Sequence, residues 1–333
     1  MISSEVEFVA GCDPDAEARA AAGVQKSYEG FDEMLAAEKP DIVAICSPPA
    51  LHCEQAVAAF AAGCHVFCEK PMAESLEQAD QMISAAGESK RLLLINSEFP
   101  DMRIHRAAKE TVGSPELGRL LMLTATQSFY PTEHTEAGWR ATARRRVCFD
   151  FGVHLFELAR SFFDDLPTRL YCSMPQPLGD GKERSNLVTL EFSEGRAASF
   201  VVNRLSKGPE RYLDLRLTCE NAVVDCSIGG DARLEFGLRT RPARPFAALH
   251  WSMGGAAVWR QGNRERVLAR EASNPFASAT AARLGELLSA IREGRAAERD
   301  GAHHRQTLAI VLAAYDSAES GRAVELAPYY SAG

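Results

Sequence analysis

His65-Val66-Phe67-Cys68-Glu69-Lys70-Pro71 joins a short apolar run directly to two opposite charges and a proline. The apolar part has the length of a buried strand. Two adjacent charges are costly near a core unless they are paired or used. In an open α/β sheet, ligands bind at the carboxyl ends of the parallel strands. The stretch therefore predicts a parallel sheet with Glu69 and Lys70 at a ligand-binding edge.

The residues on both sides of this stretch alternate short apolar runs with amphipathic helical segments, which is the pattern of βαβ units. The predicted strands are 6–12, 41–46, 65–68 and 92–96, and the predicted helices are 15–23, 51–62 and 75–89. We therefore expect an α/β fold whose N-terminal domain, residues 1–115, is a Rossmann-like parallel sheet covered by helices.

From residue 116 onward, extended runs alternate apolar with polar residues and are joined by turn residues. The clearest runs are 120–129, 187–192, 197–204, 213–219 and 222–226. Two helices, 275–293 and 301–320, and a short strand at 324–326 close the chain. This pattern predicts a C-terminal α+β domain, residues 116–333, with a large, open, mostly antiparallel sheet.

A second polar group stands in an apolar run at Asp150-Phe151-Gly152-Val153-His154. Side chains four residues apart on a helix project from one face, so Asp150 and His154 should lie together. If Lys70 joins them, the three groups could handle the proton that accompanies a hydride transfer. A buried carboxylate and imidazole that merely satisfy each other remain the alternative.

Two further segments end predicted strands at the same sheet edge. Asp13 follows the first strand, where an acidic residue can accept hydrogen bonds from ribose hydroxyls and repel a 2′-phosphate, although a turn and helix cap explains it equally well. Ser47-Pro48-Pro49 ends the next strand and suits a loop along a flat ring or a plain strand-to-helix turn. His52, one turn further on, is either a structural residue or a ligand contact.

Bulk composition excludes several classes of function. Over 333 residues the chain is 46% hydrophobic and 25% charged, which is typical of a globular protein. A net charge of −8 argues against a general nucleic-acid or anionic-membrane binder. No apolar run approaches the roughly 18 residues that span a bilayer, and the first five residues do not resemble a signal peptide. We expect a cytoplasmic protein.

The nine cysteines include no Cys-x-x-Cys pair. Cys46, Cys53, Cys64 and Cys68 lie in or beside apolar segments. His65 cannot join both Cys64 and Cys68 on one side of a strand, because alternate side chains point to opposite faces. Buried free thiols and no metal site are expected.

Together these features resemble the Gfo/Idh/MocA family of nicotinamide-dependent oxidoreductases over nearly the whole chain. The residues that carry the resemblance are Asp13, Ser47-Pro48-Pro49 with His52, Glu69-Lys70-Pro71-Met72-Ala73, Trp139-Arg140, Asp150 with Gly152 and His154, and the tail 276–326 with Ala318 and Gly321. The resemblance implies a dinucleotide-binding domain followed by an open sheet that carries substrate and often mediates dimers or tetramers. Members mostly oxidise or reduce a carbinol carbon of a sugar, cyclitol or related ring.

By position, the resemblance assigns roles to individual residues. Lys70 would polarise the reacting oxygen, His154 would act as the acid/base, and Asp150 would bind substrate. Trp139 and Arg140 would lie on the substrate loop. The implied cofactor site comprises Asp13, Ser47, Pro48, His52, Glu69, Lys70 and Pro71. NAD or NADP is the expected cofactor, and Asp13 favours NAD.

The chain departs from the family pattern at its N-terminus. Members begin with a strand, a Gly-x-Gly-x-x-Gly turn and a helix, a unit of roughly 30 residues, before the strand that starts here near Val6. This chain has only Met1 to Glu5 there. The missing first βα unit would supply the middle strand of the sheet, so its neighbours should face each other across a gap. Either the chain is truncated, or the protein has abandoned the dinucleotide and has no cofactor.

A second departure is Arg144-Arg145-Arg146, at positions where members usually have a glycine run. Bulky cations cannot replace a glycine loop. The three arginines are either a solvated charge run or a site that recognises an anionic substrate such as a phosphate, a carboxylate or a nucleotide-linked sugar. Glu98-Phe99-Pro100-Asp101 likewise replaces an Arg-Phe pair of the family.

The expected function is an oxidoreductase that moves a hydride between a nicotinamide and a hydroxyl-bearing ring carbon. The alternatives are a cofactor-independent lyase or cyclase on the same scaffold, using Lys70, Asp150 and His154, and a catalytically silent binding protein. The expected partners are a small-molecule substrate and further copies of the chain, in a homodimer or homotetramer formed through the C-terminal sheet. No nucleic acid or membrane partner is expected.

Overall fold

The computed structural model describes residues 5–130, 132, 136–207, 211–229, 231–240, 243–252, 254–271 and 274–331, with side chains outside 231–252. The chain forms two units. The first unit is Met1–Ser97, Thr280–Leu312 and Tyr329–Gly333, and the second is Glu98–Ala279 and Ala313–Pro328. A single boundary after residue 115 was expected. In the structure, two segments from the C-terminal part of the chain, 280–312 and 329–333, also belong to the first unit.

The first unit contains short parallel strands connected by helices, as the sequence pattern predicts. Its N-terminal elements are β1 (Gly11–Cys12), α1 (Ala16–Ala21), β2 (Ser27–Tyr28), α2 (Phe31–Glu38), β3 (Ile42–Ile45), α3 (Pro49–Ala61), β4 (His65–Glu69), α4 (Leu76–Ser89) and β5 (Leu93–Asn96). Local sequence sets the helix starts. The Ser75 hydroxyl accepts the backbone N–H of Gln78 at the start of α4, and Pro49 occupies the first turn of α3, where no N–H is needed.

The described parallel strands lie in two separate sheets, β1-β2 and β3-β4-β5, rather than in one. The sequence pattern predicts one parallel sheet, whereas the family resemblance implies a gap between β1 and β3. The expected buried strand over residues 6–12 is wrong in extent, because only Gly11 and Cys12 pair, and Phe8 is 75% exposed. No described strand pairs with the other edge of β1, and Val9 is also exposed.

The second unit is built on one large sheet. Its elements are α5 (Arg103–Thr111), β6 (Leu120–Ser128), α6 (Trp139–Thr142), α7 (Val153–Phe163), β7 (Arg169–Ser173), β8 (Ser185–Glu191), β9 (Ala197–Asn203), β10 (Leu213–Cys219), β11 (Val223–Ile228), β12 (Asp231–Thr240), β13 (Ala243–Ser252), β14 (Gly255–Gln261) and β15 (Arg264–Arg270). The chain ends with α8 (Pro275–Glu293), α9 (Gly301–Ser320), β16 (Val324–Glu325) and α10 (Ala327–Tyr330).

Among the described residues the large sheet has nine strands in the order β15-β14-β11-β10-β6-β9-β8-β7-β16. The β6–β9 pair is parallel and the other strand pairs of this sheet are antiparallel, so the predicted open, mostly antiparallel sheet is confirmed. Alternation along β10 buries Leu213, Leu215 and Leu217 and exposes Asp214 and Arg216. The β10 strand therefore presents an apolar side to the core and a polar side to solvent.

Side chains of α8 explain why the chain returns to the first unit. Leu287 and Ala290 are fully buried against Phe67 of β4 and Leu94 of β5. The guanidinium of Arg283 is also buried and donates to the Glu298 and Arg299 carbonyls at 2.9 and 2.6 Å. This helix therefore covers one face of the parallel sheet, which the alternation of strands and helices in residues 1–115 did not indicate.

All nine cysteines are free thiols. Cys53, Cys64 and Cys68 are buried as expected, but Cys46 is exposed, because it follows the edge strand β3. Burial raises the pKa of the Cys172 thiol to about 12, so that thiol stays protonated. Within the described residues, no helix combines the length and the apolarity that a membrane crossing requires.

Candidate active site

In the first unit, Glu69 is fixed at the carboxyl end of β4 and Lys70 follows it. Glu69 pairs in register with Asn96 of β5, whose Nδ2 donates to the Glu69 carboxylate at 2.7 Å. Asn96 Nδ2 also lies 3.3 Å from Thr280 Oγ1. The backbone leaving this strand is thus anchored to its neighbour, and Lys70 is half-buried at the sheet edge where ligands bind in such folds.

His52 links two turns at this edge. The ring is completely buried, with Nε2 2.8 Å from the Ser47 carbonyl and Nδ1 2.9 Å from the Pro71 carbonyl. Burial lowers the pKa of His52, and the two carbonyl contacts partly oppose that shift. Since both nitrogens face protein carbonyls, the structure favours the structural interpretation of His52, as a residue that positions the Ser47 and Pro71 turns.

Asp13 and Ser47 both have protein partners. The Asp13 carboxylate accepts the Asp15 backbone N–H at 2.8 Å, and Asp15 caps α1 through the Glu17 N–H. Ser47 Oγ donates to the side chain of Gln55 at 2.6 Å. Asp13 therefore forms the turn that leads into α1 while remaining half-buried, and Asp15 provides the helix cap. Pro48 stays extended immediately before α3.

In the second unit, Asp150 lies in a π-helical turn, Cys148–Gly152, directly before α7. The Val153 N–H donates to the Cys148 carbonyl five residues earlier, which widens the turn. Asp150 is 2% exposed, and its carboxylate accepts Arg140 Nε at 2.6 Å and Nη2 at 3.5 Å. Arg140 also lies over the Trp139 ring, 4.5 Å from the centroid. Two residues predicted for the substrate side are thus paired.

His154 is held in α7 by aromatic stacking. Its ring is 4% exposed and lies almost parallel to Phe99, with centroids 4.0 Å apart and planes at 12°. Phe99 also contacts Tyr212, whose hydroxyl accepts Gln127 Nε2 at 2.8 Å, and burial raises the pKa of Tyr212. Sequence reasoning noted Phe99 only within Glu98–Asp101, the stretch that replaces the family's Arg-Phe pair, and it missed Tyr212 and Gln127, because no local motif marks them.

The π-helical turn is anchored by Glu183, which sequence reasoning also missed. Its carboxylate accepts the backbone N–H groups of Arg146 at 2.8 Å and Cys148 at 2.6 Å. It also accepts Asn186 Nδ2 at 2.8 Å and the Tyr315 hydroxyl at 2.9 Å. A buried carboxylate with four donors holds the backbone just before Asp150 in place.

The three consecutive arginines do not act as one group. Arg144 is exposed, and Arg145 lies over the Tyr315 ring at 5.5 Å. Arg146 alone turns inward, is 7% exposed and pairs with Glu136. A uniformly solvated charge run is therefore wrong for Arg146, because its backbone N–H is drawn inward by Glu183.

The two units match two parts of one family. Residues 2–97 match the family described as "Oxidoreductase family, NAD-binding Rossmann fold", and residues 105–225 match the "GFO/IDH/MocA C-terminal domain". The chain belongs to the Gfo/Idh/MocA family of oxidoreductases. The resemblance inferred from Lys70, Asp150 and His154 is thereby confirmed at the level of the family.

Individual relatives are distant. A 1,5-anhydro-D-fructose reductase from Ensifer adhaerens is 32% identical over 164 residues, 48% of this chain and 49% of its own length. A D-apiose dehydrogenase from Paraburkholderia graminis is 26% identical over 96% of this chain and 83% of its own length. The crystal structure of an aldose-aldose oxidoreductase from Caulobacter crescentus, complexed with glycerol, has a TM-score of 0.76 at 23% identity, covering 97% of this chain and 93% of that one. This chain thus matches about half the length of the first relative, and the structural match shows the fold.

In this Gfo/Idh/MocA chain the predicted site residues are divided between the units. Lys70 and the expected cofactor residues lie in the first unit, and Asp150, His154 and Arg140 lie in the second. Within each unit the structure brings together Ser47 with His52 and Pro71, and Arg140 with Asp150. The convergence of Lys70 with Asp150 and His154 stays a prediction.

His105 supports the residue on which His154 stacks, and it should make the second unit acid-sensitive. Its Nδ1 donates to the Phe99 carbonyl at 2.6 Å, and burial lowers its pKa from 6.5 to about 4. Because the unfolded chain binds this proton and the folded chain does not, stability should fall as the pH drops from about 6.5 towards 4. At pH 5 the free energy of unfolding should be about 2 kcal/mol lower than at pH 7. Urea unfolding of wild type and His105→Phe at pH 7 and pH 5 measures this difference. Equal pH dependence of stability in the two proteins would contradict the role given to His105.

Proposed function

We propose that this protein is a NAD(P)-dependent oxidoreductase that moves a hydride between a nicotinamide and a hydroxyl-bearing carbon of a sugar, cyclitol or related ring. The observation that carries the proposal is Lys70, placed at the carboxyl end of β4 in a family with an NAD-binding Rossmann fold. An ammonium at that edge can polarise the oxygen of the reacting carbon. The relatives named above, a sugar reductase and a sugar dehydrogenase, support this class of substrate.

The residues present suit two of the three parts of the cofactor, the adenosine ribose and the nicotinamide, but not the pyrophosphate. Asp13, half-buried after β1, suits the ribose hydroxyls, and the Ser47–Pro49 and Glu69–Pro71 turns suit the nicotinamide end. For the pyrophosphate, these 333 residues contain no Gly-x-Gly-x-x-Gly turn before β1. When bound, the nicotinamide would supply or accept the hydride.

The protein's own side chains would then manage the substrate and its proton. Lys70 would donate a hydrogen bond to the reacting oxygen, and His154 would take or return the hydroxyl proton. The Phe99 face fixes the plane of the His154 ring, so that a ring nitrogen keeps a constant direction. Asp150, held by Arg140, would bind a neighbouring hydroxyl of the ring.

The open face of the large sheet supports a second proposal, a homodimer or homotetramer formed through it. Strands β6, β8 and β15 carry the exposed apolar side chains Met122, Leu187 and Val267. Exposed apolar side chains on a broad sheet are suited to contact with a further copy. Light scattering on the purified protein measures the oligomeric state, and a monomer would contradict this proposal.

Cofactor binding tests the proposed function directly. We expect NADH to bind more tightly than NADPH, because the Asp13 carboxylate repels a 2′-phosphate. Asp13→Asn should reduce the preference for NADH about tenfold, which corresponds to about 1.4 kcal/mol. Fluorescence titration with each nucleotide measures both affinities, and Asp15→Asn, which keeps a helix-capping side chain, is the matched control. Turnover of a sugar in the complete absence of nicotinamide would contradict the proposed function.

A further inference from the structure

Two buried arginines of the second unit share one carboxylate. Arg146 Nη2 pairs with one oxygen of Glu136 and Arg204 Nη2 pairs with the other. Arg146 is 7% exposed and Arg204 is 4% exposed. We call these two residues the arginine pair. Their spacing fits the two oxygens of a single carboxylate.

Contacts other than Glu136 hold the arginine pair. The Arg204 guanidinium lies between the Phe129 and Phe151 rings, 4.9 Å from each centroid, and its backbone N–H donates to the Arg184 carbonyl at 2.9 Å. The Arg146 backbone is fixed by Glu183. The Arg204 guanidinium is therefore preorganised for an anion by rings that do not depend on Glu136, and the backbone that carries Arg146 is fixed independently of Glu136 as well.

The arginine pair has unused hydrogen-bonding capacity among the described residues. Two guanidinium groups face one carboxylate, and the Nε atoms of both arginines are buried without a hydrogen-bond partner among the described residues. Burial lowers the pKa of Arg204, and Glu136 opposes that shift. Buried cations are costly unless they are paired or bind a ligand, and guanidinium groups bind carboxylates in a planar, two-point geometry.

Glu136 covers the arginine pair from the solvent side, since its side chain is 29% exposed while the arginines are buried. Phe151, against which Arg204 packs, is the neighbour of Asp150, and Asp150 is close enough to contribute to the electrostatic environment of Arg204. A ligand carboxylate that takes the place of Glu136 would therefore lie beside the proposed substrate site.

We propose that the arginine pair binds the carboxylate of a sugar-acid substrate, and that Glu136 occupies this position when no substrate is bound. The inference rests on the proposed function and specifies its substrate class. The ligand is a ring hydroxy acid such as a uronate, whose carboxylate binds the pair and whose ring hydroxyl is the group presented to Asp150 and His154.

Removing the Glu136 carboxylate tests the inference, because it should strengthen rather than weaken ligand binding. We expect D-glucuronate to bind the wild-type protein at least about tenfold more tightly than D-glucose, and Glu136→Gln to tighten glucuronate binding a further tenfold or so. A purely structural Glu136 would have the opposite effect, because its loss would disorder the arginine pair. Arg146→Lys, which keeps the charge but loses the two-point geometry, should weaken glucuronate binding about tenfold. Titration calorimetry without nucleotide measures every affinity.

Glu194→Gln is the matched control, because Glu194 pairs with an arginine on the exposed surface, Arg119. It should leave glucuronate binding unchanged, and circular dichroism checks that each variant is folded. Weaker or unchanged glucuronate binding by Glu136→Gln would overturn the inference. Tighter binding of D-glucose 6-phosphate than of glucuronate would overturn the carboxylate assignment. Nicotinamide-linked turnover of neutral sugars without any preference for glucuronate would overturn the inference and leave the proposed function standing. Glucuronate binding with no redox activity would overturn the proposed function and leave the carboxylate site standing.

Discussion

Lys70→Ala is expected to lower kcat/KM by at least about a thousandfold with little effect on the fold. Lys70 lies at the end of β4, half-buried, so its truncation leaves the strand and the Glu69–Asn96 bond in place. The truncation removes the ammonium that we propose stabilises negative charge on the reacting oxygen. Steady-state kinetics with a nicotinamide and a sugar, together with circular dichroism, measure the two effects. Lys90→Ala, a substitution of an exposed lysine at the end of α4, is the matched control.

The same experiment tests whether residues of the two units act in one site. His154→Ala should also lower kcat/KM about a hundredfold or more. If Lys70 and His154 serve the same proton transfer, kcat/KM of the double variant should be only slightly lower than that of the less active single variant. The reason is that the effects of substituting residues that act as a unit do not add. Full activity in both single variants would contradict an enzymatic role for this site and favour a binding protein. Strictly additive losses would contradict a shared role.

The sequence was sufficient to predict elements whose signals are local. The helices at 275–293 and 301–320 agree with α8 and α9, and the 65–68 strand agrees with β4 to one residue. The strand expected over residues 6–12 failed in extent. Apolar residues there predict burial, but a strand is buried only if neighbouring elements cover it, and Phe8 is 75% exposed.

Residues that contact across long sequence separations were beyond prediction. Glu183 lies 35 residues from Cys148, and Arg204 lies 68 residues from Glu136. No spacing rule connects such positions, since the sheet order that brings them together depends on the parallel pairing of β6 with β9. The sequence identified Arg146 as unusual but could not distinguish it from Arg144, because only tertiary contacts turn one of the three inward.

The largest expected effect on stability is that of Glu183→Ala. Glu183 accepts two backbone N–H groups, an amide and a hydroxyl, all at 2.6 to 2.9 Å. Truncation leaves those buried donors without an acceptor, so the free energy of unfolding should fall by about 3 to 5 kcal/mol. Glu183→Gln keeps one acceptor oxygen and should lower the free energy of unfolding about half as much. A cost remains because its amide nitrogen would face other donors.

Urea unfolding followed by circular dichroism measures this loss, with Glu191→Ala as the matched control. Glu191 ends β8, the strand that begins two residues after Glu183, but its ion pair with Arg169 is exposed, so its loss should cost less than about 1 kcal/mol. Glu183→Ala should also reduce activity at permissive temperature, because the turn that presents Asp150 loses its anchor. A Glu183→Ala protein as stable as Glu191→Ala would show that the π-helical turn is held by its neighbours and that the carboxylate is dispensable.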